Sequence, residues 1–128
     1  MSNNTVVYRV SSTLSAIRNC IKSGNTEWQE IHRQNLDKLI KNWLPSGSGF
    51  DESTCFDHIR STPEKLIFDT SFHHMNEVGL YNGWTYHKIT VTPSFTGVNI
   101  KISGRNKNGI KDYIHDVFLD ALTQEVKE

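Results

Sequence analysis

The sequence predicts an α+β fold of α-α-β-β-β-α order: an N-terminal antiparallel helix pair, a three-stranded antiparallel sheet and a C-terminal amphipathic helix. Two observations lead to this prediction. Apolar residues recur at helical spacing in the first third of the chain and near its end, whereas from Lys65 onward they alternate with polar residues. Helices and strands that occupy separate stretches are typical of α+β proteins. The 128 residues fit a single domain, 1–128, with one core.

The helix pair is predicted over residues 11–44. In its first half, Leu14, Ile17 and Ile21 recur at the spacing of one helix face. Gly24 marks the end of this first helix, because glycine readily adopts the left-handed conformation found there.

The second helix has both of its ends marked in the sequence. Thr26 and Gln29 fit a capping box, in which each side chain accepts a hydrogen bond from the backbone amide of the other. Pro45 marks the end, because proline restricts the preceding residue and has no amide proton. The short connection between the helices predicts an antiparallel hairpin. The apolar stripe of this helix consists of Trp28, Ile31, Leu36, Leu39, Ile40 and Trp43.

Residues 45–53 are rich in Ser and Gly and are predicted to form a linker. Residues 65–125 are predicted to form the sheet and the last helix. Pro93 and Gly97 indicate a turn between the second and third strands. The strands are defined by Leu66, Phe68 and Phe72, then Ile89 and Val91, then Val98, Ile100 and Ile102.

The last helix is predicted from an amphipathic stripe, with Asn108 as its N-cap residue. The stripe consists of Ile110, Tyr113, Ile114, Val117, Phe118, Ala121 and Leu122.

Composition excludes several classes of function. Lys and Arg number 14, and Asp and Glu also number 14, so the chain lacks the basic excess of proteins that bind nucleic-acid backbones. Cys20 and Cys55 form no C-x-x-C pair, which indicates a reducing compartment. We find no signal peptide and no apolar run of about 20 residues. The sequence therefore predicts a cytoplasmic protein that does not contact a membrane.

The segment "SFHHMNEVGLYNGWTYHKITV", residues 71–91, concentrates large rings around a turn. If Ile89 and Val91 face the core, strand alternation points Trp84 and Tyr86 to the other side. Rings with an apolar plane and a polar tip suit a flat ligand, a base or a second subunit. The alternative is that these rings pack beneath the N-terminal helices.

The histidines of this segment do not form a recognisable metal site. His73 and His74 are adjacent, so on a strand they point to opposite faces. The hairpin allows His73 and His87 to lie across from each other, but zinc needs three or four ligands and we find no third. We predict no metal and no cofactor, and we assign His74 to a cluster that recognises a polar ligand.

Residues 103–109, "SGRNKNG", join the third strand to the last helix. Arg105, Asn106 and Lys107, with the free amides of the helix start, suit a phosphate or another anion. The alternative is a solvated turn. No catalytic motif is present, so we expect a binding protein and not an enzyme.

The order and size of these elements resemble those of the Thoeris anti-defence sponge proteins of phages. The resemblance implies capture of a cyclic ADP-ribose-type signal between subunits, without cleavage, and hence a homo-oligomer in a host cytoplasm. It places Phe72 and Asn82 near the base of the ligand and Arg105 near its phosphates.

Two functions follow from this sequence. The first is a phage counter-defence protein that sequesters a nucleotide-derived signal, with a ligand-binding set of Phe72, His74, Asn82, Trp84, Tyr86, Arg105, Asn106 and Lys107. The second is a viral inhibitor that binds a host defence protein, such as a CRISPR-Cas complex, with the rings as the main contact.

Overall fold

The computed structural model describes residues 5–43, 53–94 and 97–125. It contains two N-terminal helices, an antiparallel sheet of strand order β1-β2-β3-β4 and a C-terminal helix, so the predicted α+β class is confirmed. In the described part of the chain, no helix has the length and apolar character to span a membrane. The elements are α1 (Val6–Ser23), α2 (Thr26–Trp43), β1 (Cys55–Phe56), β2 (Leu66–Met75), β3 (Tyr81–Ser94), β4 (Gly97–Ile102), a 3-10 turn (Lys107–Gly109) and α3 (Ile110–Thr123).

The sheet has four strands, not the three that were predicted. The additional strand is β1, in which Cys55 pairs with Asp69 and Phe56 with Phe68. A strand of two residues is too short to show an alternating pattern, which explains why the sequence did not reveal it. Of the predicted linker 45–53, all but the last residue lie outside the described residues.

The helix pair starts earlier than predicted and uses different caps. The Thr5 side chain accepts a hydrogen bond from the Tyr8 amide at the start of α1. At the start of α2 the cap is Asn25 and not Thr26, because Asn25 Oδ1 accepts the Trp28 amide at 3.2 Å. The predicted stop at Gly24 is confirmed, with φ of 72°.

The core lies between the three helices and one face of the sheet. Phe68 of β2 is fully buried at its centre. Its ring centroid lies 5.2 Å from that of Trp43 on α2, 5.1 Å from that of Phe56 on β1 and 6.1 Å from that of Phe118 on α3. The Phe68 ring therefore packs against residues of α2, β1 and α3 at once.

The two faces of β3 differ as alternation requires. Ile89 and Val91 are fully buried, whereas Trp84 and Tyr86 remain more than half exposed. The prediction that these rings point away from the core is confirmed, and the alternative of packing beneath the helices is wrong for both.

We expect Phe68→Ala to lower the free energy of unfolding by about 3–5 kcal/mol, because it removes the ring that the other three contact. Urea denaturation measures this change. Val78→Ala is the control: Val78 is 77 % exposed, so the change should stay within about 0.5 kcal/mol. Equal effects of the two substitutions would contradict the assignment of Phe68 to the core centre.

Candidate functional site

Four rings lie together on the outer side of the sheet, and we call His73, Tyr81, Trp84 and Tyr86 the aromatic face. His73 pairs with Trp84 across β2 and β3, and its ring lies 5.7 Å from that of Tyr81. Tyr81, Trp84 and Tyr86 are 60 %, 58 % and 53 % exposed. Each of these large side chains therefore keeps more than half of its surface in contact with solvent.

The tip of the β2–β3 hairpin extends this surface with aliphatic side chains. Met75, Val78 and Leu80 are all more than half exposed. Asn76 organises the turn, because its Oδ1 accepts the amides of Val78 and Leu80 at 3.1 and 2.9 Å. The Asn76 amide in turn donates to the Leu80 carbonyl at 2.8 Å. The tip thus holds its apolar residues outward in a fixed turn.

Tyr86 is oriented by a carboxylate on the same face. Its hydroxyl donates to Asp69 Oδ1 on the neighbouring strand. This hydrogen bond to an anion, together with partial burial, raises the pKa of Tyr86 above its usual value of 10.0. The ring of Tyr86 therefore has a fixed orientation and an acidic neighbour.

Behind the aromatic face, on the core side of the same strands, lies a chain of buried polar groups that we call the relay: His74, Thr85 and His87. His74 is 3 % exposed and His87 is fully buried. The Nε2 atoms of His74 and His87 lie 2.8 and 2.9 Å from Thr85 Oγ1. His87 Nδ1 lies 3.0 Å from the Ser103 carbonyl oxygen.

The partners of the relay define the direction of its hydrogen bonds. The Ser103 carbonyl only accepts, so His87 Nδ1 carries the proton and, in the neutral ring, its Nε2 accepts from the Thr85 hydroxyl. Thr85 then accepts from the Nε2–H of His74. Both nitrogens of His87 and the Nε2 of His74 thus have partners inside the protein, which offsets much of the cost of burying them.

Lys107 joins the loop that precedes α3 to the start of β3. Its ammonium group donates to the Asn82 carbonyl at the start of β3. Burial, followed by repulsion from Lys107 and His87, lowers the pKa of His74. Both effects favour the neutral form of His74.

The loop of residues 103–109 contacts β3 through a glycine. A Cβ at Gly104 would lie 2.5 Å from the Tyr86 carbonyl oxygen and 2.7 Å from His87 Nδ1. Asn108 is not the N-cap of α3 as predicted; it has φ of 55° inside the 3-10 turn. The capping role falls to Asn106, whose Oδ1 accepts the Lys111 amide at 2.9 Å.

The structure divides the predicted ligand-binding residues into three groups, two of which lie on opposite sides of the sheet. Trp84 and Tyr86 lie on the outer side of the sheet. Phe72 and His74 lie on the inner side, where the Phe72 ring is 5.2 Å from that of His74 and 6.2 Å from that of Tyr113 on α3.

The remaining predicted residues lie at the end of the hairpin and in the loop next to it. Asn82 and Lys107 are in contact, and Asn106 caps α3. Arg105 is exposed and follows Gly104, which packs against β3.

His73 and His87 do not lie across the hairpin from each other. His73 is paired with Trp84 and His87 with Thr70, and the two side chains point to opposite faces. In the described ranges no three His, Cys, Asp or Glu side chains are grouped as metal ligands.

Sequence reasoning missed three residues of this region: Asp69, Thr85 and Gly104. Thr85 was detectable, because it lies between two outward rings and must point inward. Asp69 and Gly104 required the strand register and the path of the loop.

Comparisons with protein-family models, curated proteins and solved structures find no match to this chain.

We expect acidification to destabilise the protein through His74. The pKa of His74 is lowered in the folded state. Below the ordinary value of 6.5 the unfolded chain therefore binds more protons than the folded protein, and the free energy of unfolding decreases as the pH decreases. The contribution approaches about 1.4 kcal/mol per pH unit for one proton. Urea denaturation between pH 7.5 and 5 should show a shallower pH dependence for His74→Gln than for the wild type. Parallel curves would exclude this origin.

We expect Gly104→Ala to lower the free energy of unfolding by more than about 2 kcal/mol, since it combines a positive φ with a clash against Tyr86 and His87. Gly79→Ala is a matched control, because Gly79 also has a positive φ, of 81°, but nothing lies within 4 Å of its Cβ position. That change should cost about 1 kcal/mol. Thermal or urea unfolding measures both, and equal losses would show that the contact with β3 is unimportant.

Proposed function

We propose that this protein acts by binding, and that the aromatic face with the adjoining hairpin tip is the surface that contacts a protein partner. The observation that carries the proposal is the exposure of Tyr81, Trp84 and Tyr86 side by side on one sheet surface. Trp and Tyr are the residues most enriched among those that dominate protein interfaces. A contiguous exposed apolar surface of this kind is typical of interaction sites.

The chemistry of the face favours a protein over a small anion. Asp69 contributes a carboxylate beside Tyr86 and is paired across the strands with Lys88, so these two residues offer no excess positive charge that would attract a phosphate. The exposed Met75, Val78 and Leu80 add aliphatic area that a nucleotide does not use. A protein partner with an apolar patch would cover the aliphatic side chains, and a hydrogen-bond donor on that partner would contact the Asp69 carboxylate.

The biological role that we propose is inhibition of a host defence protein by a viral antagonist. The viral assignment rests on the resemblance in size and element order to the phage sponge proteins. A CRISPR-Cas complex is one such target.

A second candidate function, sequestration of a nucleotide-derived signal, is favoured by the cationic loop. Lys107 contacts Asn82 at the end of the hairpin, and Arg105 lies two residues earlier in the same loop. These groups suit phosphate oxygens. Because Phe72 and the outer rings occupy opposite faces, this function requires a second subunit to complete the pocket, and hence a homo-oligomer.

We expect Trp84→Ala to weaken partner binding at least about 30-fold, the loss typical of a central interface tryptophan. Trp28→Ala is the matched control: Trp28 is 52 % exposed on α2, away from the sheet, and its removal should leave affinity unchanged. The immobilised wild type and both variants would be used to capture proteins from host lysate. Titration calorimetry with any stoichiometric partner then measures affinity.

Retention of the partner by Trp84→Ala at wild-type affinity would reject the aromatic face as the interface. Thermal shift with cyclic ADP-ribose isomers and cyclic oligonucleotides tests the second candidate. A stabilisation that Lys107→Gln and Arg105→Gln abolish, in the absence of any captured protein, would replace the first function by the second.

A further inference from the structure

A separate groove lies between α1, α2 and the turn that follows β1. Its volume is about 380 Å³, which falls within the range of small-molecule sites. None of its lining residues belongs to the aromatic face or to the relay. It therefore offers a second binding site that is independent of the proposed interface.

The interior of the groove is aliphatic. Leu14 and Ile17 of α1 are buried at its base. Ile21, one turn further along α1, is 57 % exposed, and Ile59 on the turn after β1 is 92 % exposed. An isoleucine so fully exposed gains stability only when another apolar group covers it. The four side chains thus form an apolar strip that leads from the core to solvent.

The rim of the groove is cationic. Arg18 and Lys22 of α1 and Arg33 of α2 line it, whereas no carboxylate does. Within the described part of the chain, none of these three cations forms an ion pair. In a chain with equal numbers of acidic and basic residues, three unpaired cations around one groove create a local positive potential.

The rim is also held in position. The Arg18 guanidinium donates to the Ser61 carbonyl, which leaves further N–H groups of the fork available. Asp57 Oδ1 accepts the amides of Ile59 and Arg60 at 3.0 and 2.9 Å. These bonds lower the pKa of Asp57, the Arg60 amide contributing most.

The histidine at the end of the groove has its own acidic partner. His58 Nε2 lies 3.2 Å from Asp37 Oδ1, which joins the turn to α2. Asp37 therefore contacts His58, and among the described residues no ion pair joins it to Arg18 or Arg33. The turn that carries Ile59 is fixed to both sides of the groove.

We propose that this groove binds a small anionic amphiphile: a single aliphatic chain along Ile17, Ile21 and Ile59, with a carboxylate or phosphate headgroup held by Arg18 and Arg33. Apolar lining and a few convergent charged groups are the usual composition of such sites. Guanidinium groups bind carboxylates and phosphates through paired hydrogen bonds, which explains the preference for an anionic head. No bond is made or broken.

Titration calorimetry with four probes that share a ten-carbon chain, each below its micelle concentration or solubility limit, tests the proposal. Decanoate and decyl phosphate should bind saturably at one site per chain. Decanol and decyltrimethylammonium should bind at least about tenfold more weakly, because they lack the anion. The stronger of the two anionic probes identifies the source of the headgroup, carboxylate or phosphate. Equal binding of all four probes would overturn the role of the cations.

Variants make the test specific to this groove. Arg33→Gln should weaken decanoate binding about tenfold, and Ile59→Ser should weaken it through loss of apolar contact; both positions are exposed, so folding is preserved. Lys38→Gln is the control, since it removes a positive charge from the same helix outside the groove. Unchanged affinity in Arg33→Gln and Ile59→Ser would overturn the site. Binding to phosphatidylglycerol vesicles without binding to the monomeric probes would also overturn it, in favour of a membrane surface.

Discussion

The hydrogen bonds that converge on the Thr85 hydroxyl are the interaction on which the rest of the candidate site depends. Beyond Phe68 and Ile89 the inner side of the sheet is no longer purely apolar, because His74, Thr85 and His87 lie there beside Phe72. Buried polar groups specify geometry more narrowly than aliphatic packing, because each needs a partner at a defined distance and angle. This half of the hairpin is therefore stabilised by directional hydrogen bonds as well as by burial.

Because side chains alternate along β3, fixing the relay on the inner face also fixes the positions of the rings on the outer face. Trp84 and Tyr86 alternate with Thr85 and His87 along β3, so a one-residue slip in register would exchange the rings for the relay. The same constraint reaches the loop before α3, because His87 is bonded to Ser103 and lies close to Gly104. Inner relay, outer rings and cationic loop thus form one structural unit, and the groove between the helices is outside it.

The sequence predicted the features that depend on periodicity and missed those that depend on tertiary placement. Alternation around Ile89 and Val91 was enough to assign Trp84 and Tyr86 to the outer side. By contrast, the relay depends on a register that shifts between residues 73 and 75, which no local pattern records. Predicting the groove would have required the packing of α1 against α2 and the position of Ile59, and neither follows from a local sequence pattern. Strand β1 was too short to leave any periodic signal.

The Asn76 turn has a consequence for the affinity of the proposed interface. A loop that is flexible before binding loses backbone and side-chain conformational entropy when it binds, and this loss lowers the affinity. Here the backbone that carries Val78 and Leu80 is already constrained by the Asn76 bonds. Binding at this hairpin therefore costs less backbone entropy, and the freedom still to be lost is that of the exposed side chains and of overall translation and rotation.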